Sequence, residues 1–298
     1  MHTKQQKSMN SSLKSKIALV EARLDQLVPE QTSLPHAPLY AAARYALFTG
    51  GKRLRPILAL AACQAVGGSE EKALTPACAL EMVHAYSLIH DDLPCMDNDD
   101  FRRGKPTVHK VFPEALALLA GDYLLTKAFE VVAESPGLDP ALKVALIQIL
   151  ARQSGGDGMI GGQVIDIDPK QQNLDLVELQ EMHLMKTGAL IQGAIEFGAR
   201  IGGAEQKLTE QLALFGQKIG LAFQVIDDVI DVVSPEAKHG KSSDVENHKT
   251  TYVSLLGVDG AKHAADRLIN EAVEIVKGLP IDSDELVELS ELLAKRTI

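Results

Sequence analysis

Apolar residues along this chain recur at a spacing near 3.6, and strand-like alternation is scarce. The pattern predicts helices over Leu13–Leu27, Pro38–Phe48, Arg55–Val66, Thr75–Asp92, Pro113–Ala133, Pro140–Gly155, Leu174–Ile201, Thr209–Val233, Ser254–Lys277 and Asp282–Ala294. Gly67-Gly68, Ser135-Pro136-Gly137 and Gly202-Gly203 punctuate the joints. No repeat or low-complexity linker divides the chain, so the expectation is one all-α bundle domain over residues 17–298, preceded by a flexible polar tail, residues 1–16. Two charged loops, Leu93–Lys110 and Ser234–Lys249, are long enough to act as lids.

Polar positions that break the apolar pattern are the informative ones. Asp91-Asp92-Leu93-Pro94-Cys95-Met96-Asp97 and Asp227-Asp228-Val229-Ile230-Asp231 both lie in core-like helical sequence. A carboxylate buried without a partner is very costly, so such groups pair, take up protons or bind a cation. Clustered carboxylates without soft ligands suit a hard divalent ion such as magnesium. Gln224, Asp227, Asp228 and Asp231 fall on one helix face, as do His84, Ser87, Leu88 and Asp91. Asp97 would point away from Asp91 on a continuous helix. Pro94 breaks that helix and swings Asp97 back beside Asp91.

Cations complement the acids. Gly50-Gly51-Lys52-Arg53-Leu54-Arg55-Pro56 sets three positive side chains beside glycines at a helix start, a combination suited to phosphate. The spacing is not that of a P-loop. Arg102-Arg103 follows the first acid cluster, and Lys186-Thr187-Gly188 sits in an apolar helix. Lys186, Lys241 and Lys249 taken singly read as solvated charges. Together, acids and cations point to a magnesium-bridged ligand with more than one phosphate, attached to an apolar body.

Composition narrows the picture. Of 298 residues, 46% are hydrophobic, enough for a large core, while 4% are aromatic and none is Trp, which favours helices. A formal net charge of -10 argues against non-specific nucleic-acid binding. Cys63, Cys78 and Cys95 form no C-x-x-C pair, which fits a reducing cytoplasm. No apolar run reaches ~18 residues, so no membrane span is expected. The first residues carry no acid before Glu21 and no arginine. A disordered tail therefore fits better than an organelle transit segment.

In order along the chain, Gly50–Pro56, the His84 helix, Asp91–Asp97, Arg102-Arg103, Gly161-Gly162-Gln163, Lys186-Thr187, Gln224, Asp227–Asp231, Gly240-Lys241 and Lys249-Thr250-Thr251-Tyr252 resemble the trans-isoprenyl diphosphate synthases, most closely the bacterial-type farnesyl diphosphate synthases. The match runs from Leu39 to Gly257; the second lysine loop, where Asp244 follows Lys241 closely, looks slightly shortened.

The resemblance implies an isoprenoid-synthase helical bundle around a deep central cavity, usually a homodimer. It implies three magnesium ions between the acid clusters, with Asp91, Asp97 and Asp227 as direct ligands. Asp92, Asp228 and Asp231 would act through water or support those ligands. Arg102, Lys186 and Lys241, with Lys249 nearby, would contact the allylic diphosphate. Lys52, Arg55, His84 and Arg103 would hold isopentenyl diphosphate. Thr187 and Gln224 would turn oxygen dipoles to the developing cation, so the catalytic set is Asp91, Asp227, Lys186, Thr187 and Gln224. Dimethylallyl and geranyl diphosphate would be the successive starters. Tyr86 would floor the product pocket at farnesyl length; Ser87 is better aligned with Asp91 but too small to block. Geranylgeranyl diphosphate synthase is the alternative within the family. A terpene cyclase is disfavoured by Gly50–Pro56 and the all-aspartate second cluster. A non-catalytic subunit is disfavoured because both clusters are intact.

Overall fold

The computed structural model describes residues 2–168, 173–233 and 249–295, with side chains from Ser12 onward. Among the described residues the helices are α1 (His2–Leu27), α2 (Ala37–Phe48), α3 (Leu54–Ala65), α4 (Glu70–Asp91), α5 (Val108–Val111), α6 (Glu114–Glu134), α7 (Pro140–Ser154), α8 (Met159–Asp166), α9 (Leu176–His183), α10 (Ala189–Ile201), α11 (Gln206–Val233), α12 (Tyr252–Lys277) and α13 (Asp284–Ala294). A π-helical turn, Leu184–Gly188, joins α9 to α10. The hairpin strands β1 (Phe101–Arg102) and β2 (Lys105–Pro106) pair antiparallel, Phe101 opposite Pro106. The all-α expectation holds.

Several boundaries differ from expectation for definable reasons. The apolar spacing predicts α4 from Thr75. The helix instead begins at Glu70, after Ser69, with Glu70 and Glu71 in its first turn and Pro76 buried inside it. Helix α1 extends back to His2 through the segment expected as a flexible tail. Leu13 packs on the core and Lys16, 7% exposed, donates to Glu285 and to Gln64. An apolar stripe and one buried lysine, beginning before residue 17, thus tie α1 to α3 and α13. Helix α8, which contains Gly161 and Gly162, was not among the expected helices.

Two clusters of apolar side chains fill the bundle. The larger is drawn from α1 to α8, α10, the first half of α11, the end of α12 and α13, and the smaller from α9, the second half of α11 and the rest of α12. Helices α3, α4, α10 and α11 bring their backbones together through small residues. A Cβ on Gly198 would fall 2.1 Å from the Ala59 carbonyl oxygen, and one on Gly220 would fall 2.6 Å from Gly188 Cα. The second approach presses α11 onto the π turn that carries Lys186 and Thr187. Among the described residues no helix is long and apolar enough to cross a membrane.

Candidate active site

A cleft of about 410 Å³ opens between the C-terminal end of α4, the last half of α11, α8 and the π turn. One wall carries Asp91 and Asp97, and the other carries Asp227, Asp228 and Asp231. The two acid clusters, far apart in sequence, thus face one space. Helix α4 stops at Asp91, and the chain folds back so that the Asp97 N–H donates to the Asp91 carbonyl at 2.9 Å. That return is the one expected from Pro94.

Neighbouring aspartates have different surroundings. Asp92, 3% exposed, caps α4 and accepts from Arg102, Nε at 2.9 Å and Nη2 at 2.6 Å; it does not line the cleft. Expected to act through water or to support the metal ligands, its carboxylate pairs here with Arg102. Asp228, 2% exposed, accepts from the Tyr252 N–H at 2.9 Å and from Gln224 Nε2 at 3.2 Å. Its carboxylate thereby fixes the start of α12 to α11. Asp91, Asp97, Asp227 and Asp231 are half-buried and line the cleft.

The cations group at two ends. Arg55, His84, Arg102 and Arg103 lie at one end. Burial, then repulsion from Arg103, lowers Arg55 to about 10 against attraction from Glu81 and Asp227, and its Nε is buried without a hydrogen-bond partner. Burial, followed by Arg55, Arg103, Arg102 and Arg53, holds His84 well below its ordinary value, so it is neutral. Arg103 donates through Nη1 to the Gly50 carbonyl and packs where a Cβ on Gly51 would lie, 2.6 Å away. Gly51 also has φ 144°, a backbone that residues with a Cβ rarely adopt, and this is what favours glycine there. Lys52 is exposed on the same loop and does not line the cleft. Arg53, grouped with these cations by sequence, points into the core.

At the other end, Lys186 Nζ and Lys249 Nζ reach the same oxygen, Asp166 Oδ2, at 2.7 and 2.6 Å. Burial raises the Asp166 pKa, but the two lysines, through charge and hydrogen bonds, bring it well below the carboxylate range. Asp166 was missed by sequence reasoning. Its signal was an acid following Gly161-Gly162, at which a Cβ on Gly162 would strike the Lys186 backbone at 2.3 Å. Asp99, 3% exposed and also lining the cleft, was missed too. Thr187 Oγ1 donates to Gln224 Oε1 at 2.9 Å, linking the π turn to α11. Lys241 lies outside the described residues.

The chain-length candidates lie off the cleft. Its apolar side ends at Leu88, Phe223, Ile230 and Met182. Tyr86, 5% exposed, packs edge-on to His90, with ring centroids 5.7 Å apart, and does not line the open volume. Ser87 Oγ donates to the His84 carbonyl at 2.9 Å, an in-helix bond, and does not line the cleft either.

Facing aspartate walls between two cationic ends, set in an apolar helical bundle, are the equipment of an enzyme that works on diphosphate esters of hydrocarbons. Comparison with known proteins agrees. Residues 36–288 match the family model "Polyprenyl synthetase". The farnesyl diphosphate synthase of Geobacillus stearothermophilus is 43% identical over 295 residues, covering 98% of this chain and 99% of that protein. Geranylgeranyl pyrophosphate synthase 7 of Arabidopsis thaliana is 45% identical over 266 residues, covering 87% of this chain and 76% of that protein. A crystal structure of an FPP/GFPP synthase from Zymomonas mobilis superposes with a TM-score of 0.87 at 37% identity, covering 96% and 99%. The chain belongs to the polyprenyl synthetase family, and it is a prenyltransferase.

Proposed function

We propose that this protein condenses isopentenyl diphosphate with dimethylallyl diphosphate and then geranyl diphosphate, releasing diphosphate and forming farnesyl diphosphate. The observation that carries this reading is the single cleft bounded by Asp91 and Asp97, by Asp227 and Asp231, and by cations at both ends. The donor set suits magnesium, with three ions expected per site. Among the described residues no three acidic, histidine or cysteine side chains gather closely enough to hold an ion alone. Magnesium commonly takes one or two carboxylates and completes its shell with water and substrate phosphate. Asp91, Asp97 and Asp227 would hold the ions, which supply Lewis acidity at the departing diphosphate.

The chain's own groups do the rest. Lys186, Lys249 and Arg102 place positive charge where the allylic diphosphate leaves with the electron pair of its C–O bond. Lys241 is assigned the same part. Arg55, His84, Arg103 and Lys52 orient the second diphosphate, so that its alkene faces the electron-poor carbon and closes a head-to-tail C–C bond. Thr187 and Gln224 present oxygen dipoles to the transient positive charge. Phe223, Leu88 and Ile230 keep water from it. A proton then leaves the new carbon skeleton for the released diphosphate. No protein nucleophile is needed.

We further propose a cytoplasmic homodimer. Three free cysteines fit the compartment, and the exposed Leu118 and Leu119 of α6 and Val144 of α7 supply an apolar face for a second copy. A geranylgeranyl product is the second reading, favoured by relatives of comparable identity that carry that name. Incubation with labelled isopentenyl diphosphate and dimethylallyl diphosphate, followed by chromatography of the products, tests the proposal. A fifteen-carbon product is expected. A twenty-carbon product supports the second reading, and no condensation at all refutes both.

A further inference from the structure

One of the three cations at the start of α3 serves a different purpose from its neighbours. Arg53 is 3% exposed. Its Nη1 donates to Glu81 Oε1 at 2.9 Å and its Nη2 to the Leu47 carbonyl at 2.6 Å. Nη2 and Nε also reach Glu21 Oε1, at 3.1 and 3.2 Å. These acceptors come from α4, α2 and α1. Glu81 is itself 3% exposed and lies one helical turn before His84. Replacing a buried ion pair with apolar groups is often neutral, so its presence calls for a role besides stability.

The backbone gives a second, independent sign. Arg53 occupies the N-cap of α3 with φ 50° and ψ 36°, a left-handed conformation, and makes no side-chain cap bond. Non-glycine residues avoid that region, and N-caps usually carry a short polar side chain. Strain of this kind persists only where surrounding contacts enforce it, and it clusters at ligand clamps. Here the four polar contacts of the guanidinium enforce it. From the other side, Arg103 grips the same loop at the Gly50 carbonyl.

We infer that Arg53 is a positioning residue for the isopentenyl diphosphate subsite. Its fork locks onto α1, α2 and α4 and fixes the turn from which Lys52 and Arg55 are presented. It also ties that turn to the helix carrying His84 and Asp91. Lysine cannot replace it, because one ammonium cannot span the planar set of acceptors that a guanidinium reaches. The inference rests on the reading of Lys52 and Arg55 as diphosphate-binding groups.

Steady-state kinetics of Arg53→Gly and Arg53→Lys, with Arg55→Ala as control, test it. Glycine adopts the left-handed backbone freely, so Arg53→Gly isolates the side chain. Lysine keeps a charge beside Glu81, so Arg53→Lys preserves the folded state. Both are expected to raise the KM for isopentenyl diphosphate by about tenfold, the scale of a sub-ångström misplacement, while the KM for geranyl diphosphate moves less than about twofold. The double variant Arg53→Met/Glu81→Met removes the pair without leaving a lone charge. Its melting temperature should recover relative to Arg53→Gly while its isopentenyl diphosphate KM stays high. If KM returns together with the melting temperature, the pair is merely structural and the inference is overturned. Parental KM in Arg53→Lys and Arg53→Gly, with Arg55→Ala impaired, overturns it as well. An Arg55→Ala enzyme with unchanged isopentenyl diphosphate KM removes the subsite reading itself.

Discussion

Tyr86 should set product length, and two substitutions separate its ring from its hydroxyl. It lies five residues before Asp91 on α4, so at ~1.5 Å per residue the ring sits ~7.5 Å along the helix from the carboxylate. The open cleft reaches Leu88, three residues from Asp91; Tyr86 does not line it, and the prediction is that its ring limits how far a chain can extend past Leu88. Its hydroxyl is buried with no hydrogen-bond partner, and burial, followed by the Asp91 charge, pushes its pKa up to about 12. An unpaired buried hydroxyl costs roughly 1–3 kcal/mol. Tyr86→Phe removes that cost and keeps the ring. Its melting temperature should rise by about 2 °C per kcal/mol recovered, and its product should stay at fifteen carbons. Tyr86→Ala removes the ring at about 3–5 kcal/mol for a buried aromatic, less the hydroxyl's relief, for a net loss of roughly 0–4 kcal/mol, about 2 at the centre. It should still fold, and with excess isopentenyl diphosphate it should make products of twenty carbons or more. The assays are calorimetry and chromatography of dephosphorylated products. A folded, active Tyr86→Ala enzyme that stops at fifteen carbons refutes the reasoning. A longer product from Tyr86→Phe transfers the limit from the ring to the hydroxyl.

Three further outcomes follow from the cleft. Asp91→Ala and Asp227→Ala should each lower turnover on the order of a thousandfold and change the magnesium dependence, read by metal titration of activity. Asp166→Asn should raise the KM for the allylic substrate more than that for isopentenyl diphosphate, because Lys186 and Lys249 lose their shared anchor. Asp166 has a folded pKa below its usual 3.8, so its stabilising effect is complete above that value and is lost as pH falls through the folded pKa; in Asp166→Asn this part of the acid loss disappears. His84 has the opposite linkage. Its folded pKa lies well below 6.5, so the unfolded chain binds the proton first and stability declines as pH falls below 6.5. Urea unfolding across pH 5–7 should show a shallower decline in His84→Gln, and an unchanged slope would show that His84 is not the titrating group.

What was legible in the sequence, and what was not, follows from the range of the interactions. Carboxylates at helical spacing inside apolar sequence announce themselves, because their cost is local: both clusters were found, and so was the return of Asp97 forced by Pro94. Partner choice is not local. Asp91 and Asp92 are adjacent and chemically identical, yet the helix ends between them. One therefore lines the cleft while the other turns to Arg102. Lys249 and Asp166 are 83 positions apart, and no periodicity connects them. The same holds for Lys52, Arg53 and Arg55, three cations in four positions that spacing cannot sort into inward and outward. Arg53 turns inward because Glu81, Leu47 and Glu21, on three other helices, converge on it. A sequence therefore displays where charge is expensive, and the fold decides whether a ligand or another residue of the chain neutralises it. In this cleft the two answers alternate: Asp91 and Arg55, which line it, each stand beside a like charge already paired within the protein, Asp92 with Arg102 and Arg53 with Glu81. That alternation lets a dense patch of like charges stay folded while some of them remain turned to the open cleft.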